Sequence, residues 1–255
     1  MKPAYLEPKP EAPIMIEDLT KLRVRLECAS TTQELMDTTF EIVKHLGAIN
    51  VCYAHAPPLG ATDYKRPSIV DARGLPKGWA RTYLKSGYAK ADAISRLALS
   101  QLRPFYWRDV GKMKPLSPRE QQYIEHLITV GLDHGICVPT FGPKGRAGYF
   151  GVGFCPTEPR LNERQFQIIQ WLCQTAHICH CSIIDDSSSG CIHLSAREID
   201  VLRLILVGRT NSEIAKELKV SCNTVSTYLV RACEKLEVRG RFEAAMRALT
   251  TGLLD

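Results

Sequence analysis

The chain has 255 residues, 45% of them hydrophobic and 24% charged, with a formal net charge of +6. This is apolar material enough for a sizeable core and length enough for two unequal domains, which excludes a disordered chain or a disulfide-stapled miniprotein. Ten cysteines follow no CxxC…CxxC spacing, and no run of about 18 uncharged apolar residues exists, so the reading is a cytoplasmic protein with reduced thiols and no membrane span.

Four prolines among residues 1–13 predict a disordered start. Leu19, Leu22 and Leu26 share one face of a first helix. Thr31 and Glu34 open a second with a capping box, and Leu35, Val43 and Leu46 lie on its apolar side. Residues 49–56 read as a strand. The stretch 75–92 carries Trp79 and Tyr83 four apart, on one helix face. Residues 104–107 read as a short aromatic strand, and Ser117 with Glu120 boxes a helix that runs past His126 to Val130. The apolar runs 135–141 and 146–154 around Gly142-Pro-Lys-Gly145 form a hairpin signature. Asn162 opens a long helix to about Ile184. The polar break 185–190 is the expected linker between an N-terminal domain, 14–184, and a C-terminal domain, 191–255. Helices mixed with antiparallel strands upstream imply α+β, and everything downstream reads as helix.

Downstream, Ser195 with Glu198 and Thr210 with Glu213 are two further capping boxes. Val201, Leu202, Ile205 and Leu206 give the first helix its apolar face. Val225, Leu229, Ala232 and Leu236 give the third helix its buried side, and the last is expected to bury Phe242, Met246, Leu249 and Leu253. Small Ala215 and, ten residues on, Val225 are spaced as in a helix-turn-helix with Lys219-Val-Ser221 as its turn. The second helix of that pair would enter the major groove, capped by Ser221 with Thr224 in its first turn. Cys222, Asn223, Ser226, Thr227, Val230 and Arg231 point outward. Asn, Ser and Thr suit base edges or phosphate, and Arg231 and Lys235 suit phosphates. The alternative is a small helical bundle with an amphipathic surface.

Residues 194–241 closely resemble the LuxR-type helix-turn-helix. Leu194, Ser195, Arg197, Glu198, Leu202, Gly208, Glu213, Ile214, Ala215, Leu218, Ser221, Thr224, Val225, Lys235, Leu236 and Arg241 stand where that family's pattern asks for them. Upstream, Trp79, Tyr83, Asp92, Trp107 and Gly135, with Pro139 following, resemble the pattern of an autoinducer-binding domain. Ala93 departs from it, since the family usually has proline there. The resemblance implies an N-terminal αβα sandwich around an antiparallel sheet and an all-α C-terminal DNA reader. It implies a homodimer that grips a pseudo-palindromic double-stranded site in response to an N-acyl homoserine lactone, with RNA polymerase as a further partner and no cofactor.

The family's ligand has one amide N–H and several carbonyls in an apolar envelope. The resemblance gives Asp92 the amide N–H, Tyr83 the acyl carbonyl, Trp79 the lactone carbonyl and Trp107 the lactone ring. Taken singly, Trp79 and Tyr83 would be core aromatics and Asp92 a helix cap or an exposed carboxylate. Leu75, Ile94 and Gly151 stand where many relatives place hydroxyl side chains. The pocket is therefore expected to disfavour a 3-oxo group and, at Gly151, to leave room for a branched or aromatic acyl group, while Ile94 takes up volume against this and leaves the chain length open.

Cys173, His177 and Cys181 form one helical stripe, with His180, Cys191 and His193 nearby in sequence. Sulfur and imidazole could bind zinc or sense redox state. The other reading is close packing of small thiols, which leaves no metal site. No converging nucleophile and base or cofactor loop is visible, so no catalytic residue and no enzyme is expected.

Overall fold

The structure is a computed structural model that describes residues 16–61, 71–157, 160–187 and 192–254. The segment 1–13, residues 188–190 of the expected linker and Cys191 lie outside the described residues. The chain divides into two compact units. One is formed by the described residues within 1–55, 68–142 and 147–183, the other by those within 56–67, 143–146 and 184–255. Among the described residues no helix is long and apolar enough to cross a membrane.

The first unit is built on a five-stranded antiparallel sheet of β1 (Ala48–Ala56), β2 (Asp71–Arg73), β3 (Phe105–Tyr106), β4 (Gly135–Phe141) and β5 (Ala147–Phe154), in the order β2-β1-β5-β4-β3. The expected hairpin is β4–β5, paired from Gly135↔Gly153 to Phe141↔Ala147. Strand β2 was not legible in the sequence: it has three residues, too few for an alternating pattern, and is set by pairing with β1 and by Arg73, whose guanidinium bonds Asp37 and Asp71.

Side chains on a strand alternate between faces, and here they feed two cores. Ile136, Val138, Phe150, Val152 and Phe154 pack with α1 (Ile16–Glu27), α2 (Thr32–Lys44) and α7 (Glu163–Ser187). Cys137 and Tyr149, from intervening positions, pack on the opposite side with α3 (Trp79–Lys85), α4 (Ala93–Ala98), α5 (Val110–Met113) and α6 (Pro118–Thr129). This is the αβα sandwich. Helix starts follow local chemistry: Thr31 Oγ1 accepts from Glu34 N at 3.1 Å, and Ser117 with Glu120 completes a capping box. The Glu34 carboxylate closes its turn on Ser30 N instead of the N-cap, at 2.9 Å.

One boundary moves. Residues 185–187, expected to belong to the linker, continue α7. A carboxylate in the last turn of a helix opposes the helix dipole, but Asp185 is paired with Lys144 at 3.0 Å and Arg146 at 3.1 Å, which offsets this.

Beyond residue 192 the second unit is built of helices: α8 (Ala196–Leu206), α9 (Asn211–Leu218), α10 (Cys222–Lys235) and α11 (Arg241–Thr250). Capping boxes at Ser195–Glu198 and Thr210–Glu213 are both formed. The turn between α9 and α10 is Lys219–Ser221, with Lys219 left-handed at φ 57°. Ala215 and Val225 are buried in the common core. Helix α11 presents a different face from the one expected: Phe242 and Leu249 are exposed, and Ala244, Ala245 and Ala248 are buried. Small side chains let α11 lie close against the core helices, so the alanines turn inward, while Met246 is half-buried and Leu253, just beyond the helix, packs on the core as expected.

Lys235, expected against phosphate, is committed elsewhere. Its Nζ donates to Glu198 Oε2 at 2.7 Å, and Glu198 is buried. Burial raises the Glu198 carboxyl, but hydrogen bonds from Lys235 and Ser195 outweigh it and leave the pKa below the ordinary value. The pair thus ties the start of α8 to the end of α10. Lys235→Ala is expected to cost about 1–2 kcal/mol at pH 7, because it strands a buried carboxylate whose partner was itself partly in water. A depressed carboxyl contributes stability above its unfolded pKa of about 4.3 and loses it as pH falls through the folded value. The gap between wild type and variant should therefore close in acid. Urea unfolding at pH 7 and pH 3 measures both, and equal stability at pH 7 would contradict the assignment.

Candidate functional site

In the first unit, the residues picked from sequence gather on one side of the sheet. Leu75, Trp79, Tyr83, Ile94 and Trp107 all belong to the core between the sheet and α3–α6. Trp79 and Tyr83 lie one turn apart on α3, as their spacing requires.

Asp92 is where the local and the functional readings meet. It is the N-cap of α4: its Oδ1 accepts from Ile94 N at 2.9 Å and from Ser95 N at 3.1 Å. Its Oδ2 accepts from the Tyr83 hydroxyl at 2.9 Å. The carboxylate is 8% exposed. Burial raises its pKa, against the lowering effect of the hydrogen bonds from Ser95, Tyr83 and Ile94. Tyr83 is pushed above the usual tyrosine range by burial and by the Asp92 charge, so it stays a neutral donor. An aspartate can therefore cap a helix with one oxygen and keep the other facing the aromatic cluster.

Trp107 lies across two glycines. A Cβ on Gly135 would sit 2.5 Å from its Cζ3, and one on Gly151 would sit 3.2 Å from its Cζ2. At Gly135 a Cβ would also meet Val152 O at 2.6 Å, so no side chain fits there, and at Gly151 one would push Cys52 or the indole aside; the two glycines form the seat of the indole. The room expected above Gly151 is already taken: a Cβ there would also lie 2.7 Å from Cys52 Sγ. The Trp107 Nε1 is buried without a hydrogen-bond partner. An indole N–H can only donate, and leaving it unmet costs free energy, so it calls for an acceptor.

Several neighbours carry no signal of a site in the sequence. Tyr123, 4% exposed, and His126 come from α6, and Tyr88 from the turn before Asp92. His126 stacks on Trp79, with ring centroids 5.6 Å apart and planes at 10°, and its Nε2 is likewise buried without a partner. Tyr88 packs between Tyr123 and His126, at 5.1 and 5.0 Å. The three-residue spacing of Tyr123 and His126, next to Leu127, marks only a shared helix face.

The Cys/His stripe is divided. Cys173 is buried in the core against α1 and α2, whereas His177 and Cys181 meet His55 at the end of β1. These three residues, not the expected Cys173 set, are the described group with metal-ligand spacing.

In the second unit, α10 presents its polar face to solvent. Cys222, Asn223, Ser226, Thr227, Val230 and Arg231 are exposed. Ser221 caps the helix by accepting from Thr224 N at 3.0 Å. Thr227 and Ser226 hydroxyls donate to the carbonyls of Asn223 and Cys222, and Asn211 Nδ2 donates to Ser226 Oγ at 3.4 Å. These bonds hold the polar side chains close to the helix and keep them oriented.

Residues 31–179 match the family profile described as "Autoinducer binding domain", and residues 193–248 match the one described as "Bacterial regulatory proteins, luxR family". The transcriptional activator protein AnoR of Acinetobacter nosocomialis is 27% identical over 226 residues, which is 86% of this chain and 92% of AnoR. The quorum sensing-dependent transcriptional regulator RpaR of Rhodopseudomonas palustris is 25% identical over 188 residues, 74% of this chain and 76% of RpaR. SdiA of Escherichia coli shares the fold at a TM-score of 0.73 and 20% identity, over 93% of this chain and 98% of SdiA. A structure of SdiA in complex with octanoyl-rac-glycerol gives 0.74 and 19%, over 96% and 98%. The chain belongs to the LuxR family of autoinducer-responsive transcriptional regulators, in which an autoinducer-binding domain precedes a DNA-binding helix-turn-helix, and it is not an enzyme.

Proposed function

We propose that the protein is a cytoplasmic, homodimeric quorum-sensing regulator. It takes an N-acyl homoserine lactone into the core between the sheet and α3–α6, and reads a pseudo-palindromic DNA site with α10. The observation that carries the ligand reading is one acceptor and one orphaned donor on the same side of the sheet: the buried Asp92 carboxylate and the unpartnered Trp107 Nε1. A lactone signal supplies an amide N–H for the first and carbonyl oxygens for donors such as Trp107, Trp79 and Tyr83, in an envelope that is mostly aliphatic and aromatic. Tyr83 already bonds Asp92, so it turns its donor from the carboxylate to the acyl carbonyl when the amide arrives. Ligand burial adds to the core and stabilises the fold by mass action.

Asp92→Asn separates the two roles of this residue. Asparagine caps a helix as well as aspartate, so ligand-free stability should barely change. The charge-assisted bond to the amide is lost, at about 1.5–3 kcal/mol. Thermal shift titrations with a lactone series should show affinity down by about 10- to 150-fold. A wild type that no lactone stabilises overturns the ligand reading, and a variant that keeps wild-type affinity overturns the role of Asp92. Because SdiA was solved with octanoyl-rac-glycerol, the same titration includes that compound. Stabilisation by it alone would favour a non-lactone acyl signal.

Leu75, Ile94 and the Gly151 seat place no hydroxyl where many relatives have one. A 3-oxo carbonyl buried against them finds no donor. In lactone pairs of equal chain length, the unsubstituted member is expected to bind more tightly. Tighter binding of the 3-oxo member throughout would show that another group pairs with it.

For DNA, a phosphate contact is felt by all sequences and by the salt dependence, while a base contact is felt by one position. Arg231→Ala should weaken binding to every site and flatten the salt slope. Asn223→Ala and Thr227→Ala should instead alter sequence preference. Gel shifts unchanged in all three variants would remove α10 from the DNA interface.

A further inference from the structure

We propose that His55, His177 and Cys181 form a binding site for one thiophilic transition-metal ion of the zinc class. The site lies inside the first unit, on the opposite side of the sheet from the proposed signal site. Each residue offers one ligand atom, the three atoms lie within 4.8 Å of one another, and all three residues are buried, at 7%, 0% and 1% exposure. His177 and Cys181 are four apart on α7, so the helix holds them on one face. His177 Nε2 and Cys181 Sγ are 3.6 Å apart. That is about the edge of a tetrahedron with metal–nitrogen bonds of about 2.0 Å and metal–sulfur bonds of about 2.3 Å. Only His55 must close in.

Two further features fit an ion. The Tyr53 hydroxyl lies 2.7 Å from His177 Nδ1 and 3.3 Å from His55 Nδ1. If His177 Nδ1–H donates to that oxygen, the tautomer is fixed with the Nε2 lone pair turned to Cys181, the usual support for a metal-bound imidazole. The backbone also leaves space on the ligand side. A Cβ on Gly142 would lie 2.9 Å from His177 Nε2 and 3.0 Å from Cys181 Sγ, facing the two donors from about equal distances. Gly142 is partly exposed, and the proposal places the entry path and a water-filled fourth position beside it. Two neutral imidazoles and one thiolate suit zinc-class ions, whereas hard cations prefer oxygen ligands. Binding forms the metal–sulfur bond and releases the Cys181 thiol proton, so affinity rises with pH. The bound ion would tie the end of β1 to the C-terminal half of α7.

The test uses the full chain and Co²⁺, whose thiolate complexes absorb in the near ultraviolet and whose tetrahedral sites absorb in the visible. One Co²⁺ per chain with both bands, displaced by Zn²⁺, is the expected result. Cys181→Ser should abolish the sulfur-to-cobalt band, and Cys179→Ser, off the site on the same helix, should keep it. Gly142→Ala keeps every ligand atom but should weaken binding at least tenfold. X-ray absorption on the zinc-loaded wild type needs no variant and should give one sulfur per zinc. Absent bands in the wild type, bands that survive Cys181→Ser, or a sulfur count of zero or of two or more would overturn the proposal.

Discussion

The first unit depends on the alternation of side chains along β4 and β5. Because neighbouring residues of a strand point to opposite faces, one hairpin must supply two interiors at once. Ile136, Val138, Phe150 and Val152 commit one face to a dry core with α1, α2 and α7. The positions between them are Gly135, Cys137, Tyr149 and Gly151: small or amphipathic, on the face that carries Trp107 and the aromatic residues of α3 and α6. A one-residue slip of this hairpin would bury the glycines in the first core and push the aliphatic side chains against the indole. The first core thus holds the register on which the second face depends.

On that second face the polar groups are few and tightly held. Burial raises the pKa of Asp92, and two backbone N–H groups at the start of α4 and the Tyr83 hydroxyl act against that rise. A carboxylate without such donors would be driven to its neutral form by desolvation. The same bonds that form a helix cap therefore preserve an acceptor. The Trp107 indole is fixed by contact instead, through two glycines that admit it to the backbone. Orientation set by packing leaves its N–H unmet, and this is the donor that the proposed signal would complete.

The C-terminal unit solves a different problem. Its helices are short, and short helices depend on their ends. Side-chain caps at Ser195, Thr210 and Ser221 start α8, α9 and α10. The buried Glu198 extends its cap through Lys235 to the end of α10. The outward face of α10 is left free of packing duties and carries short polar residues and Arg231.

Features that depend on local chemistry and periodicity were legible in the sequence. Capping residues announced the starts of α2, α6, α8, α9 and α10, the turn Gly142–Gly145 announced the hairpin, and the spacing of Ala215 and Val225 announced the helix-turn-helix. The positions of Trp79, Tyr83, Asp92, Trp107 and Gly135 were legible as a pattern, and they do share one side of the sheet. Features that depend on partners distant in the chain emerged only in the fold. Strand β2 exists because β1 and Asp37 hold it. The last turn of α7 persists past Asp185 because Lys144 and Arg146 neutralise it. Helix α11 turns its alanines inward because close packing rewards small side chains. Lys235 belongs to Glu198, 37 residues away, and no periodicity could reveal that. Likewise the helical stripe suggested Cys173, but His55 joins His177 and Cys181, because a strand 122 residues earlier in the chain packs beside α7. Local patterns fix which face a residue takes on its own element; only packing between elements fixes what meets it there.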